Sequence, residues 1–435
     1  MKYLLLPEFL FILIIQTNCN LIVIPFINKE IPGEDNDRFI YTKIEMGDPP
    51  RNIDSIINFQ ESLFYISNIT NLNIHLNSSY NSSLSSSFKI ISNTTISGFN
   101  KIIDEDIYFF KDINYENGNK NKYNISSILY NDINHNESLF NIIGMQIGSN
   151  ITKPFNVINI LKNLDIIDNY FWTIKFHNLT QGKIIIGDLP EKYDKKYENK
   201  NLTFINTYSK ENGLFWGLNI NSIKFDNVTI NNDLMIGKIE PKILEIFGAY
   251  EYIKEIEEIF FGKYKENNIC RRIIDKLIGE DIYRFVCDKE SFDKSDINLF
   301  PNITLINAEL NYSFVFTGDE LFIEKNNKIY FMIVSKVEEN NLEWELGRIF
   351  LYKYQLVMDN DQNMIGIYKE KINNNESKEK NYTMLIAILS IILLNVLIAL
   401  SMLIYYLKKN ICKSKKKIFS DSDDDAYIYF PNIKE

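Results

Sequence analysis

Few side chains in this sequence are arranged for the commoner kinds of enzyme chemistry. The three histidines, His75, His135 and His177, have no second histidine or cysteine at the spacing of a metal site. The sequence also holds no Gly-x-Ser-x-Gly motif of serine hydrolases and no P-loop for phosphates. We therefore expect no metal ion and no cofactor, and catalytic chemistry would have to come from carboxyl and carboxamide side chains.

Residues 41–67 are the stretch in which such a side chain is best positioned. A strand-like run containing Ile44 and Met46 leads into a Gly-Asp-Pro-Pro turn, and a second run ends at Asn58. An aromatic-rich run over residues 63–66 follows. The pattern predicts a β-hairpin that brings the carboxamide of Asn58 to the end of a strand.

This stretch resembles the start of pepsin-like aspartic proteases, in which an apolar-Gly-x-Pro turn leads into Asp-Thr-Gly-Ser. The spacing from Gly47 to position 58, and from there to Tyr65, matches that family. The residues in place of Asp-Thr-Gly-Ser are Asn58, Phe59, Gln60 and Glu61. Further segments resemble the family in order and spacing: residues 141–145, 171–188, 216–223, 300–303 after Cys287, and 344–366. The resemblance implies a mainly β, bilobal pepsin-like fold.

Composition and periodicity are compatible with that fold. A chain of 435 residues with 45% hydrophobic content can bury two sizeable cores. Short apolar runs alternate with turn residues, which predicts a largely β architecture, and residues 249–261 form the clearest helical pattern. Residues 114–124 are predicted to be a polar insertion. The formal net charge of −10 argues against a nucleic-acid partner.

The family's chemistry needs one aspartate from each lobe. The two carboxyl groups share a proton and activate a water molecule, because two like charges so close cannot both ionise. Asn58 stands at the first position and cannot ionise. Alignment to the glycine before the predicted helix places Glu240 at the second position, beside Pro241. An ordinary solvated glutamate is the other interpretation, and Asp54 and Asp233 fit the family's spacing less well.

The flap of the family, a hairpin that folds over the substrate, is also altered. Aligning Ser97-Gly98-Phe99 with its Thr-Gly-Ile places Ile91 and Ser92 where the family has a tyrosine and a glycine. We expect no intact catalytic residue. The predicted cleft-lining residues are Phe59, Gln60, Tyr65, Ile91 and Pro241.

Both ends of the chain predict a membrane pathway. Residues 1–19 resemble a signal peptide. Residues 384–407 are uncharged and almost wholly apolar, and as a helix they would extend about 36 Å, enough to cross a bilayer. Lysines follow directly, which predicts a type I protein of the secretory pathway or cell surface with a cytosolic tail. The predicted segments are a signal peptide (1–19), an N-terminal lobe (20–190), a C-terminal lobe (191–370), a linker (371–382), a transmembrane helix (383–407) and a cytosolic tail (408–435).

The body of the chain would then fold in an oxidising compartment. Cys270 and Cys287 are the cysteines left in it, so we predict a disulfide bond between them, with free thiols as the alternative. Asn-x-Ser/Thr sequons predict surface glycans; they include Asn68, Asn93, Asn124, Asn178, Asn227 and Asn302.

Three functions are open at this point. The first hypothesis is an inactive protease homologue that binds a peptide or protein between its lobes. The second is an active aspartic endopeptidase that uses Glu240 and a displaced carboxylate. The third is a structural or adhesive surface glycoprotein, in which the cleft has no role. The sequence leaves the ligand and the oligomeric state open.

Overall fold

The structure is a computed structural model, and its described residues fall into two units. The units are Met1–Lys369 and Glu370–Glu435. Within the second unit only Leu400 and Met402 are described, so the predicted linker, transmembrane helix and tail lie outside the described residues, as does the signal peptide. The described ranges are 21–30, 38–67, 80–96, 99–112, 120–130, 141–148, 152–198, 201–210, 213–226, 228–231, 233–277, 279–337 and 343–369. Within these ranges no helix is both long and apolar enough to cross a membrane.

The first unit is mainly β, as predicted, with 51% strand and 18% helix in a bilobal-like arrangement. Its first ten strands are β1 (Ile22–Glu30), β2 (Arg38–Met46), β3 (Arg51–Asn58), β4 (Phe64–Ser67), β5 (Lys89–Ile96), β6 (Phe99–Asp112), β7 (Lys120–Tyr130), β8 (Asn141–Gly144), β9 (Phe171–Asn178) and β10 (Gln181–Ile186). The next nine are β11 (Leu202–Asn206), β12 (Ser209–Lys210), β13 (Gly213–Leu214), β14 (Gly217–Ile220), β15 (Ser222–Phe225), β16 (Val228–Asn231), β17 (Met235–Ile239), β18 (Ile246–Phe247) and β19 (Cys270–Leu277). The remaining strands are β20 (Glu280–Asp288), β21 (Ile303–Asn307), β22 (Tyr312–Phe316), β23 (Phe322–Lys325), β24 (Lys328–Phe331), β25 (Ile333–Lys336), β26 (Glu343–Leu346), β27 (Leu356–Asp359) and β28 (Met364–Tyr368).

The helices are short. They are α1 (Val157–Asn163), α2 (Tyr250–Ile256), α3 (Gly262–Glu266), α4 (Lys294–Asn298), α5 (Gly318–Leu321) and α6 (Arg348–Lys353). A π-helical turn, Glu257–Phe261, joins α2 to α3. The helix predicted over residues 249–261 is therefore present but continues to Glu266, and its predicted apolar face, which includes Ile253 and Phe260, is buried.

One large sheet links the two halves of the unit. Its 13 strands run in the order β11-β28-β27-β9-β10-β1-β2-β3-β8-β4-β7-β6-β5. Strands from the end of the unit thus pair with strands from its beginning. Two further sheets of nine and four strands form the second lobe. The lobes share backbone hydrogen bonds in one sheet, which fixes their loops relative to each other.

The packing between the lobes is aromatic. The rings of Trp172 and Trp216 meet edge to face with centroids 5.7 Å apart. The indole Nε1 of Trp216 donates a 2.7 Å hydrogen bond to the carbonyl of Met145 in the first lobe. Both tryptophans are among the most deeply buried side chains. Their burial stabilises the contact between the lobes close to the loop that follows Asn58.

Two local predictions have clear outcomes. A disulfide bond joins Cys270 to Cys287, so that prediction is confirmed, and the two residues face each other across β19 and β20. The polar insertion predicted over residues 114–124 is wrong for residues 120–124, which belong to β7. That part of β7 presents polar side chains such as Lys122 and Asn124 to solvent, so the segment looks like a loop by composition although its backbone pairs with β6.

Candidate functional site

Two strands, one in each lobe, deliver the candidate site residues. Strand β3 ends at Asn58 and pairs in parallel with β8, with Asn58 opposite Gly144. Strand β17 ends directly before Glu240 and pairs in parallel with β26, with Ile239 opposite Leu346. An antiparallel strand completes each arrangement: β4 next to β8, and β18 next to β26. The same supersecondary unit therefore occurs once in each lobe.

Two glycines show how closely the loops after these strands correspond. A Cβ atom on Gly144 would lie 2.7 Å from the carbonyl oxygen of Glu61 and 2.4 Å from that of Leu63. A Cβ atom on Gly347 would lie 2.8 Å from the carbonyl oxygen of Ile243 and 2.0 Å from that of Glu245. The crowded carbonyls belong to the third and fifth residues after Asn58 in the first lobe and to the third and fifth residues after Glu240 in the second. Glu240 thus stands in the second lobe where Asn58 stands in the first.

A glutamine connects the two loops. Gln60 donates a 2.6 Å hydrogen bond from its side-chain Nε2 to Oε2 of Glu240. The backbone N–H of Gln60 donates a 2.8 Å bond to Oδ1 of Asn58. One residue therefore contacts both candidate positions, and the carboxamide of Gln60 lies against the carboxylate of Glu240.

Glu240 is a buried carboxylate with few partners. Its relative exposure is 1%. Its Oε2 accepts the hydrogen bond from Gln60, and the nearest described cation, the ammonium group of Lys238, is 3.8 Å from the same oxygen. The backbone N–H of Glu240 donates to the carbonyl of Leu346, which holds the loop against β26. The interpretation of Glu240 as an ordinary solvated glutamate therefore does not hold.

A second carboxylate, Glu345, lies near Glu240 on the neighbouring strand. It is opposite Lys238 in the parallel pair β17–β26. Burial raises the pKa of Glu345, and the negative charge of Glu240 acts in the same direction, while Lys336 opposes them. The ammonium group of Lys336 is 3.6 Å from Glu345 and also contacts Glu280. The sequence analysis did not single out Glu345; its place on a strand beside β17 could be known only from the pairing.

Asn58 is held mainly through its backbone. Its carbonyl accepts a 2.8 Å hydrogen bond from the N–H of Met145, the residue whose own carbonyl binds Trp216. Its side chain is half-buried. A carboxamide that accepts from Gln60 is neutral at all pH values, so the first position provides hydrogen bonding and no charge.

The other predicted site residues have different surroundings. Phe59 is buried in the core against Trp172, with ring centroids 5.7 Å apart, so it has no surface to offer a ligand. Pro241 is buried as well, and Tyr65 is half-buried in β4. Gln60 is exposed apart from its contact with Glu240.

The two carboxylates that fit the spacing less well are not at the loops. Asp54 lies in the middle of β3, and it lines a cavity of about 330 Å³ among β1, β2 and β6. None of Asn58, Gln60 and Glu240 lines this cavity. Asp233 is exposed, ahead of β17.

The flap region has the backbone of a hairpin and an apolar surface. Strands β5 and β6 pair antiparallel from Ile96 opposite Phe99, with a register shift between Ile90 and Ser92. Ile91, at that shift, is 53% exposed, and Ile90 is 62% exposed. Strand β5 is also the edge of the large sheet. An edge strand with two exposed isoleucines is a surface that can take up another chain.

Arg348 is a residue that the sequence analysis missed. It follows Gly347, and its side chain is 3% exposed. Its guanidinium group donates to the carbonyl of Ile243 in the second lobe and, at 2.5 Å, to the carbonyl of Leu179 in the turn between β9 and β10. This cation ties the loop after Glu240 to the shared sheet.

Comparison with known proteins gives no assignment for this arrangement. No protein-family model matches the chain, and no curated protein matches it either. Within the described ranges, no three His, Cys, Asp or Glu side chains come together as a group that could hold a metal ion. The site is therefore interpreted from its own geometry.

Proposed function

We propose that this protein is a pepsin-like aspartic protease homologue that has lost peptide hydrolysis and binds an extended peptide or protein segment between its lobes. The observation that carries the proposal is the hydrogen bond from Gln60 to Glu240. Each lobe contributes a loop at equivalent places, yet one loop offers a carboxamide, Asn58, and the other a carboxylate bound by a second carboxamide.

The chemistry of peptide hydrolysis needs a carboxylate to take a proton from water and a carboxylic acid to protonate the substrate. Asn58 can do neither. The carboxylate at the second position, Glu240, already accepts a hydrogen bond from an N–H donor at 2.6 Å on its Oε2, so a water molecule would have to compete with Gln60 for that oxygen. The arrangement thus favours binding without cleavage.

The retained scaffold supports a binding role. The paired parallel strands, the two crowded glycines and the buried Arg348 keep the loops in fixed places although the acid pair is missing. The exposed Ile90 and Ile91 on the edge strand β5 favour an extended ligand with aliphatic side chains.

The proposal includes the location of the protein. The apolar, uncharged residues 384–407 and the lysines after them favour a type I membrane protein, with the bilobal unit in the lumen or outside the cell. The disulfide bond supports an oxidising compartment for this unit. Asn124, Asn178 and Asn302 are exposed, which makes them accessible to glycan attachment.

An active endopeptidase is the second candidate, because one observation favours it. Glu345 lies close enough to Glu240 for the charge of Glu240 to raise its pKa. Two coupled carboxyl groups could divide the roles of acid and base between them. This candidate requires Gln60 to leave Glu240 when a substrate binds.

Peptide binding tests the proposed function. An array of random decapeptides is probed with the purified full chain. The affinities of the bound peptides are then measured for the natural protein and for the variants Ile91→Asp and Ile274→Asp. Ile274 is a matched control, since it is 61% exposed on β19. We expect aliphatic-rich peptides to bind and Ile91→Asp to lower their affinity at least about tenfold, with Ile274→Asp unchanged. No peptide binding, or equal loss in both variants, would favour the structural or adhesive hypothesis.

A further inference from the structure

Two buried carboxyl groups lie in the first lobe, where the pairing of β5 with β6 ends. Asp104 and Asp106 alternate on β6, so their side chains project from the same face of the strand. Their relative exposures are 0% and 1%. Neither residue is at the loops that carry Asn58 and Glu240.

Asp106 is saturated with hydrogen-bond donors. Its Oδ1 accepts from the hydroxyls of Ser85 at 3.1 Å and Ser87 at 2.5 Å, and from the backbone N–H of Ile107 at 2.7 Å. Its Oδ2 accepts from the hydroxyl of Tyr80. Both oxygens of Asp106 therefore have hydrogen-bond partners.

Asp104 has a different environment. Its Oδ1 accepts from the N–H of Ser127 at 3.2 Å and from its hydroxyl at 2.5 Å. Its Oδ2 is fully buried and has no hydrogen-bond partner among the residues that the structure describes. The titratable groups around it are Asp106 on its own strand and the phenols of Tyr80 and Tyr108. The hydroxyl of Tyr108 donates a hydrogen bond to the hydroxyl of Ser127.

No cation compensates the charge that Asp104 would carry. Among the described side chains, no lysine, arginine or histidine forms an ion pair with Asp104 or Asp106. An ionised carboxylate in such a place costs several kcal/mol, whereas a carboxylic acid does not. Burial accordingly raises the pKa of Asp104 to about 7, with Asp106 acting in the same direction against the hydrogen bonds of Ser127.

We propose that Asp104 makes the stability of the first lobe depend on protonation. Asp104 is protonated at mildly acidic pH and ionised at higher pH, and its ionisation weakens the association of β5, β6 and β7. Strand β5 carries the exposed Ile90 and Ile91. The inference does not depend on whether the protein cleaves or binds peptides.

The direction of the pH dependence follows from proton binding. The folded protein keeps a proton on Asp104 that an unfolded chain releases near pH 4. The stabilisation is therefore complete below about pH 4, and it is lost as the pH rises from there to about 7. Above that range the contribution of Asp104 no longer changes with pH.

Thermal unfolding of the purified full chain between pH 4.5 and 8 tests the proposal. Three forms are compared: the natural protein, Asp104→Asn, which mimics the protonated side chain, and Glu105→Gln, which removes a charge from the opposite face of the same strand. Between pH 4.5 and 7.5, the melting temperature of Asp104→Asn relative to that of the natural protein should rise by on the order of 5 °C. Glu105→Gln should follow the natural protein.

Parallel curves for the natural protein and Asp104→Asn would overturn the proposal. If Asp104→Asn does not fold, the variant Ser127→Ala tests whether Asp104 is the titrating group. Ser127 donates two hydrogen bonds to Asp104 that favour the ionised form. Alanine removes the hydroxyl bond and keeps the N–H bond, so the pH-dependent fall in melting temperature should move to higher pH. An unmoved curve would contradict Asp104 as the titrating group.

Discussion

The side-chain amide of Gln60 donates a 2.6 Å hydrogen bond to Glu240, a residue 180 positions further along the chain. Gln60 belongs to the loop after β3 and Glu240 to the equivalent loop after β17. The bond therefore joins equivalent loops of the two lobes. Its consequences for stability and for chemistry can be measured separately.

Replacing Gln60 by alanine should destabilise the protein. The buried carboxylate of Glu240 would lose its hydrogen-bond donor and keep only Lys238 at 3.8 Å. A loss of about 1–3 kcal/mol in the free energy of unfolding is expected, measured by urea unfolding. Gln362→Ala is the control, because its amide binds an exposed partner, Asp361; an equal loss in both variants would show that the contact with Glu240 has no special weight.

Alanine at Gly144 or Gly347 should be far more harmful than at Gly262. The new methyl groups would meet backbone carbonyls at 2.4 Å and 2.0 Å, where the parallel strand pairs leave no room. Each substitution should cost more than about 3 kcal/mol or prevent folding. Gly262→Ala, in α3, would place its methyl group 3.5 Å from the carbonyl oxygen of Glu257 and should be neutral or stabilising by about 0.5–1 kcal/mol. Folded yield and unfolding curves decide; tolerance at Gly144 would contradict the loop geometry.

Removing the disulfide bond should lower stability without removing the fold. Cys270 and Cys287 are separated by 17 residues. The loop-closure entropy of a bond over that distance corresponds to about 3 kcal/mol. The double variant Cys270→Ala/Cys287→Ala should show that loss in chemical unfolding under non-reducing conditions, and a reducing agent should then have no further effect on it.

Glu345 should contribute a pH dependence of the same sign as Asp104. Since burial raises its pKa, the folded protein binds its proton more tightly than the unfolded chain does. Its contribution to stability is present at low pH and is lost as the pH rises through its titration. Glu345→Gln should flatten the corresponding part of the melting-temperature curve, and a steeper curve would contradict the assignment.

Much of the architecture could be predicted from local pattern. The turn at Gly47, the strand that ends at Asn58 and the helix with buried Ile253 and Phe260 follow from turn residues and apolar spacing. The first residues of β7 could not be predicted, because polar side chains on the solvent side of a strand resemble a loop in composition.

The site was predictable only in part. Spacing placed Asn58 and Glu240, but nothing local indicates that Gln60 reaches Glu240 or that Phe59 turns into the core against Trp172. Such contacts depend on strand pairing between segments far apart in sequence. The burial of Asp104 could not be predicted either, because the order of three consecutive acidic residues does not show which of their side chains turn into the core.

Peptide cleavage is the most direct test of the central claim. The purified full chain is incubated with a peptide library from pH 3 to 7, alongside Glu240→Gln and the triple variant Asn58→Asp/Gln60→Gly/Glu240→Asp, and products are identified by mass spectrometry. We predict no cleavage by the natural protein and none by Glu240→Gln; the triple variant shows whether the scaffold still supports hydrolysis once two carboxylates and the space for a water are present. Cleavage by the natural protein that disappears in Glu240→Gln would contradict the account.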